Sequence, residues 1–315
     1  MIAVLAGGTG AAKFIRGLVR VVPASELAVV VNTGDDLDWW GLRVCPDLDT
    51  ITYCLAGLLD GTRGWGVLDE SFACREQIGR YGEPTWFSVG DRDLALHLFR
   101  TRLLRGGRSL TQTTQRIAQR LGVQARILPM SDESVRTVVK TASGYLSFQE
   151  FFVRDRFEPQ VEGVSFEAED RVEAGPAVVE TIHNAGLVII APSNPITSIG
   201  PILFVPGIRE ALRNCPAPVV AVSPIVGSAA VSGPAAKLMR ASGYQVSPAG
   251  VAEAYRDFLD VLVADANDAP RRTALEAMGV RVRFTDTIMR DPETAERLAR
   301  LLLREAERSR QRMTS

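Results

Sequence analysis

The most constraining feature of this sequence is an apolar run at its start that passes directly into glycines. Ile2–Ala6 is followed by Gly7–Gly10 and then by a helical pattern. A strand that enters a glycine turn and then a helix is typical of the first unit of a doubly wound α/β fold. Glycines let the backbone turn tightly and approach a phosphate, and the helix N-terminus offers free N–H groups. We therefore expect a phosphate-binding turn here, with a tight turn that holds no ligand as the alternative.

Further apolar runs along the chain resemble the first one. They are continuous rather than alternating, which indicates strands buried on both faces, as in a parallel sheet. The predicted strands are Ile2–Ala6, Leu27–Val31, Trp86–Val89, Ala125–Leu128, Leu187–Ala191, Val219–Val222, Val261–Ala264 and Val280–Phe284. Helical patterns lie between them, at Lys13–Val21, Leu94–Leu104, Leu110–Leu121 and Pro292–Arg308. Asp291 is the expected N-cap of the last helix.

This alternation predicts the α/β class, with a doubly wound, mostly parallel Rossmann-like sheet. The segment from Ser143 to Val172 mixes aromatic and charged residues with little helical period. It predicts a small antiparallel insertion or cap, with a long irregular connection as the alternative. The expected domains are therefore a Rossmann-like unit over residues 1–142 and 173–315, and an insertion over residues 143–172.

Charge and composition exclude several classes of protein. The chain carries 36 basic and 37 acidic residues, so its net charge is -1 and nucleic acid is not an expected partner. Two histidines, His97 and His183, are too few for a multi-histidine metal site, so acid–base work is expected from carboxylates. Four cysteines without a CxxC pair fit a reduced, cytoplasmic protein. We find no signal peptide and no stretch long enough to span a membrane.

The glycine turn matches neither of the two common nucleotide motifs. Thr9 adds a hydroxyl and Lys13 a positive charge. The Gly-Lys-Ser/Thr ending of a P-loop is missing, and Lys13 stands where a dinucleotide fingerprint has its third glycine.

Acidic residues follow the second strand. It ends in Asn32-Thr33-Gly34-Asp35-Asp36. Because the carboxyl ends of neighbouring parallel strands share one crevice, Asn32 and Asp35 are expected to face the glycine turn. Asp35 would hold a ribose hydroxyl or a metal, or else cap a turn with its neighbour.

Two more carboxylates, Asp47 and Asp49, come shortly afterwards. Four carboxylates within fifteen positions would repel one another, and a cation would relieve that repulsion. Hard oxygen ligands near phosphates favour Mg²⁺. The alternative is an Asp N-cap on a helix that begins near Thr50.

Three later positions complete the predicted site. Arg92 would clamp a phosphate, or pair with Asp91 or Asp93 in a structural role. Ser193 and Asn194 follow the strand at Leu187–Ala191 and would supply neutral donors and acceptors, or only shape the turn.

Taken in order, these segments resemble the 2-phospho-L-lactate transferase family of deazaflavin cofactor biosynthesis. The matching stretches are GGTGAAK, NTGDD, GLRVCPDLDT followed by Tyr53, GDRDLA, APSNP and SPI. The resemblance implies a donor that is a guanylyl diphosphate ester of phospholactate, phosphoenolpyruvate or phosphoglycerate. It implies that the acceptor is Fo, a deazariboflavin, that GMP is released and that Mg²⁺ is required.

The resemblance also implies roles for individual residues. The position of Asp49 contacts Fo in the family, and a carboxylate there can orient the attacking hydroxyl or take its proton. The second Fo contact is a basic residue that Ser88 replaces. Trp40 departs from the histidine that relatives often have, and its residue type predicts either stacking on the deazaflavin or packing in the core. The residue patterns described above, and not the resemblance, place the metal on Asp35 or Asp47. They place the donor on Gly7, Gly8, Thr9, Gly10, Lys13, Asn32, Arg92, Ser193 and Asn194.

The sequence leaves two rival functions open. The first is a non-catalytic regulatory relative of the same fold that binds nucleotide-sugars. The second is a nicotinamide dehydrogenase, which the missing third glycine and the scarcity of histidine disfavour. For the transferase we expect a homodimer, because dimers are common among such enzymes.

Overall fold

The structure is a computed structural model that describes residues 1–168 and 170–313. Its strands are β1 (Ile2–Ala6), β2 (Leu27–Val31), β3 (Leu37–Trp39), β4 (Leu42–Val44), β5 (Arg126–Pro129), β6 (Val135–Thr141), β7 (Gly144–Ser147), β8 (Val161–Ala168), β9 (Leu187–Ile190), β10 (Val219–Val222), β11 (Ile225–Val226), β12 (Ala229–Ala230), β13 (Val261–Asp265) and β14 (Arg281–Thr285). Its helices are α1 (Thr9–Leu18), α2 (Pro46–Leu55), α3 (Ala73–Arg80), α4 (Asp91–Arg105), α5 (Leu110–Arg120), α6 (Val178–His183), α7 (Ile199–Phe204), α8 (Ile208–Arg213), α9 (Ala235–Ala241), α10 (Pro248–Ala254), α11 (Arg272–Glu276) and α12 (Pro292–Met313).

The central sheet has seven strands in the order β14-β13-β10-β9-β1-β2-β5, and every neighbouring pair is parallel. From β1 the chain builds outward through β2 to β5, then returns to β9 on the other side of β1. This reversal creates a topological switch point between β1 and β9. In open α/β sheets, ligands bind in the crevice at the carboxyl ends of the strands at such a point.

Both faces of the sheet are covered, which explains the continuous apolar strands. Successive residues of β1 point to opposite sides, so Val4 and Leu5 belong to separate buried clusters. The cluster that contains Val4 also contains residues of α1, α2 and α12. The cluster that contains Leu5 includes residues of α6 to α10, β6 and β8. The doubly wound fold expected from the sequence is therefore confirmed.

Seven of the eight predicted strands form this sheet, and the prediction at Trp86–Val89 is wrong. Residues 86–89 belong to no strand. Their apolar side chains instead pack around Trp39 of the β3–β4 hairpin, with ring centroids 4.7 Å apart for Trp86 and 6.0 Å apart for Phe87. The segment before α4 therefore belongs to an aromatic cluster formed by Trp39, Trp86 and Phe87, and it does not lie at the edge of the sheet.

A three-stranded antiparallel sheet, in the order β7-β6-β8, lies beside the loop that follows β2. The backbone N–H of Thr137 donates to the Gly34 carbonyl at 2.8 Å, and the Gln149 side chain donates to the Asp35 carbonyl at 3.2 Å. This sheet begins at Val135, before the predicted insertion. The proposed division of the chain into domains stays a prediction.

The long final helix begins as the sequence predicts. The Asp291 carboxylate accepts the backbone N–H of Thr294 at 2.7 Å, which is an N-cap bond. The helix packs so closely on α1 that a Cβ on Gly17 would collide with the backbone of Ala295. Across the residues that the structure describes, no helix is long and apolar enough to cross a membrane.

Candidate functional site

The glycine turn lies at the switch point, against the loop that follows β9. The backbone N–H of Gly7 donates to the Ser193 hydroxyl at 3.3 Å. A Cβ on Gly10 would collide with the carbonyl oxygen of Pro192, and one on Gly7 would collide with Ser198. Neither position therefore has room for a side chain, and the predicted neighbours Gly7 and Ser193 do meet.

Helix α1 opens toward this crevice without a side-chain cap. Gly8 is its N-cap and, among the described residues, no side chain caps the helix. The first N–H groups of a helix have no intrahelical acceptor, so this end presents free donors and the positive end of the helix dipole. Thr9 and Lys13 are both exposed on this helix. The arrangement suits an anion such as a phosphate.

Asn32, directly after β2, connects three segments of the site. Its side-chain amide donates to the Asp47 carboxylate at 2.9 Å and to the Thr197 carbonyl at 3.3 Å. Its side-chain oxygen accepts the backbone N–H of Gly34 at 2.8 Å. A Cβ on Gly8 would lie 2.5 Å from the same Asp47 carboxylate, so Asp47 borders the glycine turn.

Asp35 and Asp47 are buried carboxylates with raised pKa values. Burial, and then the charge of Asp47, holds the pKa of Asp35 well above its usual value. Burial raises the pKa of Asp47 to about 7, although the hydrogen bond from Asn32 opposes that change. Within the described chain, Oδ1 of Asp35 has no hydrogen-bond partner. Burying a carboxylate charge without a cationic partner destabilises the fold. The part of the crevice that contains Asp35 and Asp47 is therefore suited to a cation.

Asp49 has a different partner from this pair. Asp47 and Asp49 both lie in the first turn of α2, but positions two apart on a helix point to different sides. Asp49 is 5% exposed, and both of its carboxylate oxygens accept N–H groups from Arg100 of α4. The acidic loop is thus divided: Asp47 faces the glycine turn and Asp49 faces α4.

A buried polar network continues from Asp49 into α4. Nδ1 of His97 lies 3.7 Å from the Asp49 carboxylate, and Nε2 lies 3.3 Å from the Asp93 carboxylate. The hydroxyl of Tyr53 donates to Asp93 at 2.6 Å. Asp49, Asp93 and His97 are spaced closely enough to hold a metal ion, but the guanidinium of Arg100 already supplies a positive charge to Asp49. We interpret this group as an ion-pair network.

The predicted Fo contacts Trp40 and Ser88 lie in or beside the aromatic cluster. The Trp40 ring is 5.5 Å from that of Trp39, and its indole N–H donates to the Pro84 carbonyl at 3.0 Å. Ser88 is half-buried and directly follows Trp86 and Phe87. The hairpin that carries Trp40 leads straight into the N-terminus of α2, which carries Asp49.

The other predicted donor contacts have structural partners. Arg92 is exposed and donates to the Leu68 carbonyl at 2.8 Å, and among the described residues it forms no ion pair with Asp91 or Asp93. Asn194 accepts the backbone N–H of Ile196 at 3.0 Å and so shapes its own loop.

Sequence reasoning did not select Arg100 or assign a role to His97. Both lie on α4 about fifty positions after Asp49, among other basic residues that are exposed. The available signal is weak: His97 and Arg100 are three apart and so share one face of the helix with Asp93.

Comparisons with known proteins identify the family of this chain. The family model described as 2-phospho-L-lactate transferase CofD matches residues 2–295. A 2-phospho-L-lactate transferase of Methanosarcina mazei is 43% identical over 300 residues, covering 95% of this chain and 98% of that protein. A phosphoenolpyruvate transferase of Streptomyces griseus is 41% identical over 312 residues, covering 97% of this chain and 98% of that protein.

Among solved structures, a member of the UPF0052 family from Bacillus halodurans is similar in fold, with a TM-score of 0.66. It covers 96% of this chain and 98% of its own, at 18% sequence identity. This likeness concerns the fold alone.

Proposed function

The chain belongs to the 2-phospho-L-lactate transferase family and is a transferase of that type, and from this premise we propose its full reaction. It moves a phospho-acid from a guanylyl diphosphate donor to the ribityl hydroxyl of Fo and releases GMP. The hydroxyl oxygen forms a new bond to the phosphorus that carries the acid. The bond from that phosphorus to the GMP oxygen breaks, and the hydroxyl proton passes to a base or to solvent.

One observation carries this proposal: the buried Asp47 carboxylate borders the glycine turn, where the N-terminus of α1 has no side-chain cap among the described residues. The free N–H groups of α1 are suited to the diphosphate of the donor. Asp47 lies beside Gly7 and Gly8, and the charge of Asp47 acts on Asp35. An anion-binding helix end next to buried carboxylates is chemically coherent when a cation joins the two.

We propose that the cation is Mg²⁺, held by Asp35 and Asp47. Oδ1 of Asp35 is buried and has no hydrogen-bond partner among the described residues, and together with the hard oxygen donors of Asp47 it fits this ion. Mg²⁺ is usually bound by one or two carboxylates, with waters and substrate phosphates as its remaining ligands. When bound, the ion would neutralise charge on the diphosphate and on the departing GMP.

We propose that Fo lies between the aromatic cluster and α2. Trp40 would contact the deazaflavin ring and Asp49 would orient the terminal hydroxyl. Ser88 lacks the charge that the family's basic residue supplies at this position. Lys13 and the helix dipole would stabilise the negative charge that develops on GMP.

The regulatory alternative receives less support. The relatives named as transferases are 41% and 43% identical to this chain over nearly its whole length, and the solved structure at 18% identity bears on the fold alone. Homodimer formation and a cytoplasmic location stay predictions, and light scattering of the purified chain would measure the first.

The experiment that tests the proposed function supplies Fo, Mg²⁺ and each of three guanylyl donors, which carry phospholactate, phosphoenolpyruvate or phosphoglycerate. The expected result is one product whose mass equals Fo plus one phospho-acid less water. That mass also identifies the acid. No product with any of the three donors would contradict the proposed function.

A further inference from the structure

We propose that Arg100 is the positioning residue of the transfer reaction: it fixes the Asp49 carboxylate at the place where Asp49 orients the acceptor hydroxyl. This inference rests on the proposed function. It assigns to Arg100 a role that acts entirely through Asp49, without contact between Arg100 and either substrate.

Arg100 and Asp49 form a buried, two-pronged (bidentate) ion pair. Nη1 of Arg100 donates to Oδ2 of Asp49 at 3.1 Å, and Nη2 donates to Oδ1. Arg100 is only 2% exposed, so solvent does little to screen the pair. A two-pronged bond between planar groups fixes the orientation of the carboxylate as well as its distance.

The pairing leaves Asp49 able to act on a substrate. Each carboxylate oxygen has two lone pairs, and Arg100 uses one on each oxygen. The remaining lone pairs are available to a hydroxyl, and a small part of Asp49 stays exposed. Arg100 therefore holds the carboxylate without consuming its capacity to accept a hydrogen bond.

Arg100 is itself held by its surroundings. Nη1 also donates to the Arg43 carbonyl at 3.5 Å and lies 3.3 Å from Nδ1 of His97. The next residue, Thr101, accepts the backbone N–H of Arg43 at 2.8 Å. These contacts tie α4 to β4, directly before α2, so the guanidinium has a fixed frame from which to place Asp49.

A lysine cannot reproduce this geometry. Its ammonium is a point charge on a flexible stem, whereas guanidinium is a rigid planar fork. We therefore expect R100K to keep the charge but lose the orientation. Because a misplacement of about 1 Å can cost about 100-fold in rate, kcat should fall by up to about 100-fold while KM for the guanylyl donor stays unchanged.

A double-mutant cycle tests this inference with wild type, R100K, D49N and the combined variant. The expected result is that R100K lowers kcat in the wild-type background but changes it by less than about 2-fold in the D49N background. R102K is the matched control, because Arg102 is exposed on the same helix. It should turn over like wild type.

Two other outcomes of this cycle would overturn the inference. Turnover by R100K at the wild-type rate, or losses that multiply in the combined variant, would overturn the inference while the proposed function stands. Absence of wild-type turnover with all three donors would overturn both.

A second variant covers the case in which R100K does not fold. D49E keeps the charge that pairs with Arg100 but extends the side chain by one methylene. A loss of kcat is expected in D49E that remains folded by circular dichroism, and wild-type kcat in D49E would overturn the positioning role.

Discussion

The side-chain amide of Asn32 donates to the Asp47 carboxylate at 2.9 Å and so links the carboxyl end of β2 to the first turn of α2. This bond lies beside the glycine turn that follows β1. It brings an acidic residue from a different segment to the switch point of the sheet. The crevice is therefore assembled from β1, β2 and α2 together.

Replacement of Asn32 tests this connection. N32A removes a donor from Asp47 and from the Thr197 carbonyl, and an acceptor from the Gly34 N–H. Because buried groups lose their partners, we expect a loss of about 1–3 kcal/mol in the free energy of unfolding. Urea denaturation measures it. N184A is the control, since Asn184 is exposed at the end of α6, and equal losses in both variants would refute the special role of Asn32.

Gly10 tests the close approach between the glycine turn and the β9 loop. G10A would place a Cβ against the Pro192 carbonyl, which is backbone and cannot rotate away. We expect a loss of about 1–3 kcal/mol and weaker binding of GDP, a donor mimic, by calorimetry. G163A is the control because a Cβ there meets nothing within 4 Å. Unchanged stability and GDP binding in G10A would show that the turn can accommodate a Cβ at this position, which would contradict the prediction.

The lowered pKa of Asp93 predicts that the free energy of unfolding depends on pH. Burial alone would raise the pKa of Asp93, but the hydrogen bond and charge of His97 and the Tyr53 hydroxyl hold it below its usual value. A lowered pKa in the folded state means stabilisation that is present above pH 3.8 and is lost as the pH falls below it.

The measurement is chemical denaturation of wild type and D93N between pH 7 and pH 3. Wild type should lose more stability than D93N over the acidic part of this range. Parallel curves for the two proteins would mean that Asp93 titrates normally.

A variant in the N-terminal cap of α5 is expected to change the stability of the protein but not its activity. The Ser109 hydroxyl accepts the backbone N–H of Gln112, and the Gln112 side chain accepts the backbone N–H of Ser109. S109A should lower the free energy of unfolding by about 1 kcal/mol because this capping box is lost. Turnover per folded molecule should not change, and a fall in kcat would place α5 in the catalytic machinery.

Most of the fold follows from local patterns in the sequence. Continuous apolar runs predicted seven strands because strands buried on both faces need no polar positions. The run at Trp86–Val89 has the same pattern, but its side chains are buried by Trp39 and not by a sheet. A short apolar run indicates that a segment is buried, but it does not show whether the segment forms a strand.

The site was predictable only where residues lie at strand ends. Gly7, Asn32 and Ser193 follow three strands that are neighbours in the sheet, so topology alone brings them together. Arg100 reaches Asp49 through the packing of α4 on β4, which no local pattern encodes. Its burial also runs against the usual exposure of arginine, so composition gives no hint of the pair.

The most direct test of the account measures GMP release from a guanylyl donor with and without Fo, in Mg²⁺ and in EDTA, by wild type and D47N. We predict that wild type releases one GMP for each Fo consumed, and only when Fo and Mg²⁺ are both present. D47N should release GMP on the order of 100-fold more slowly, since a group that stabilises the transition-state charge is lost. GMP release without Fo, or wild-type rates in EDTA or in D47N, would contradict the account.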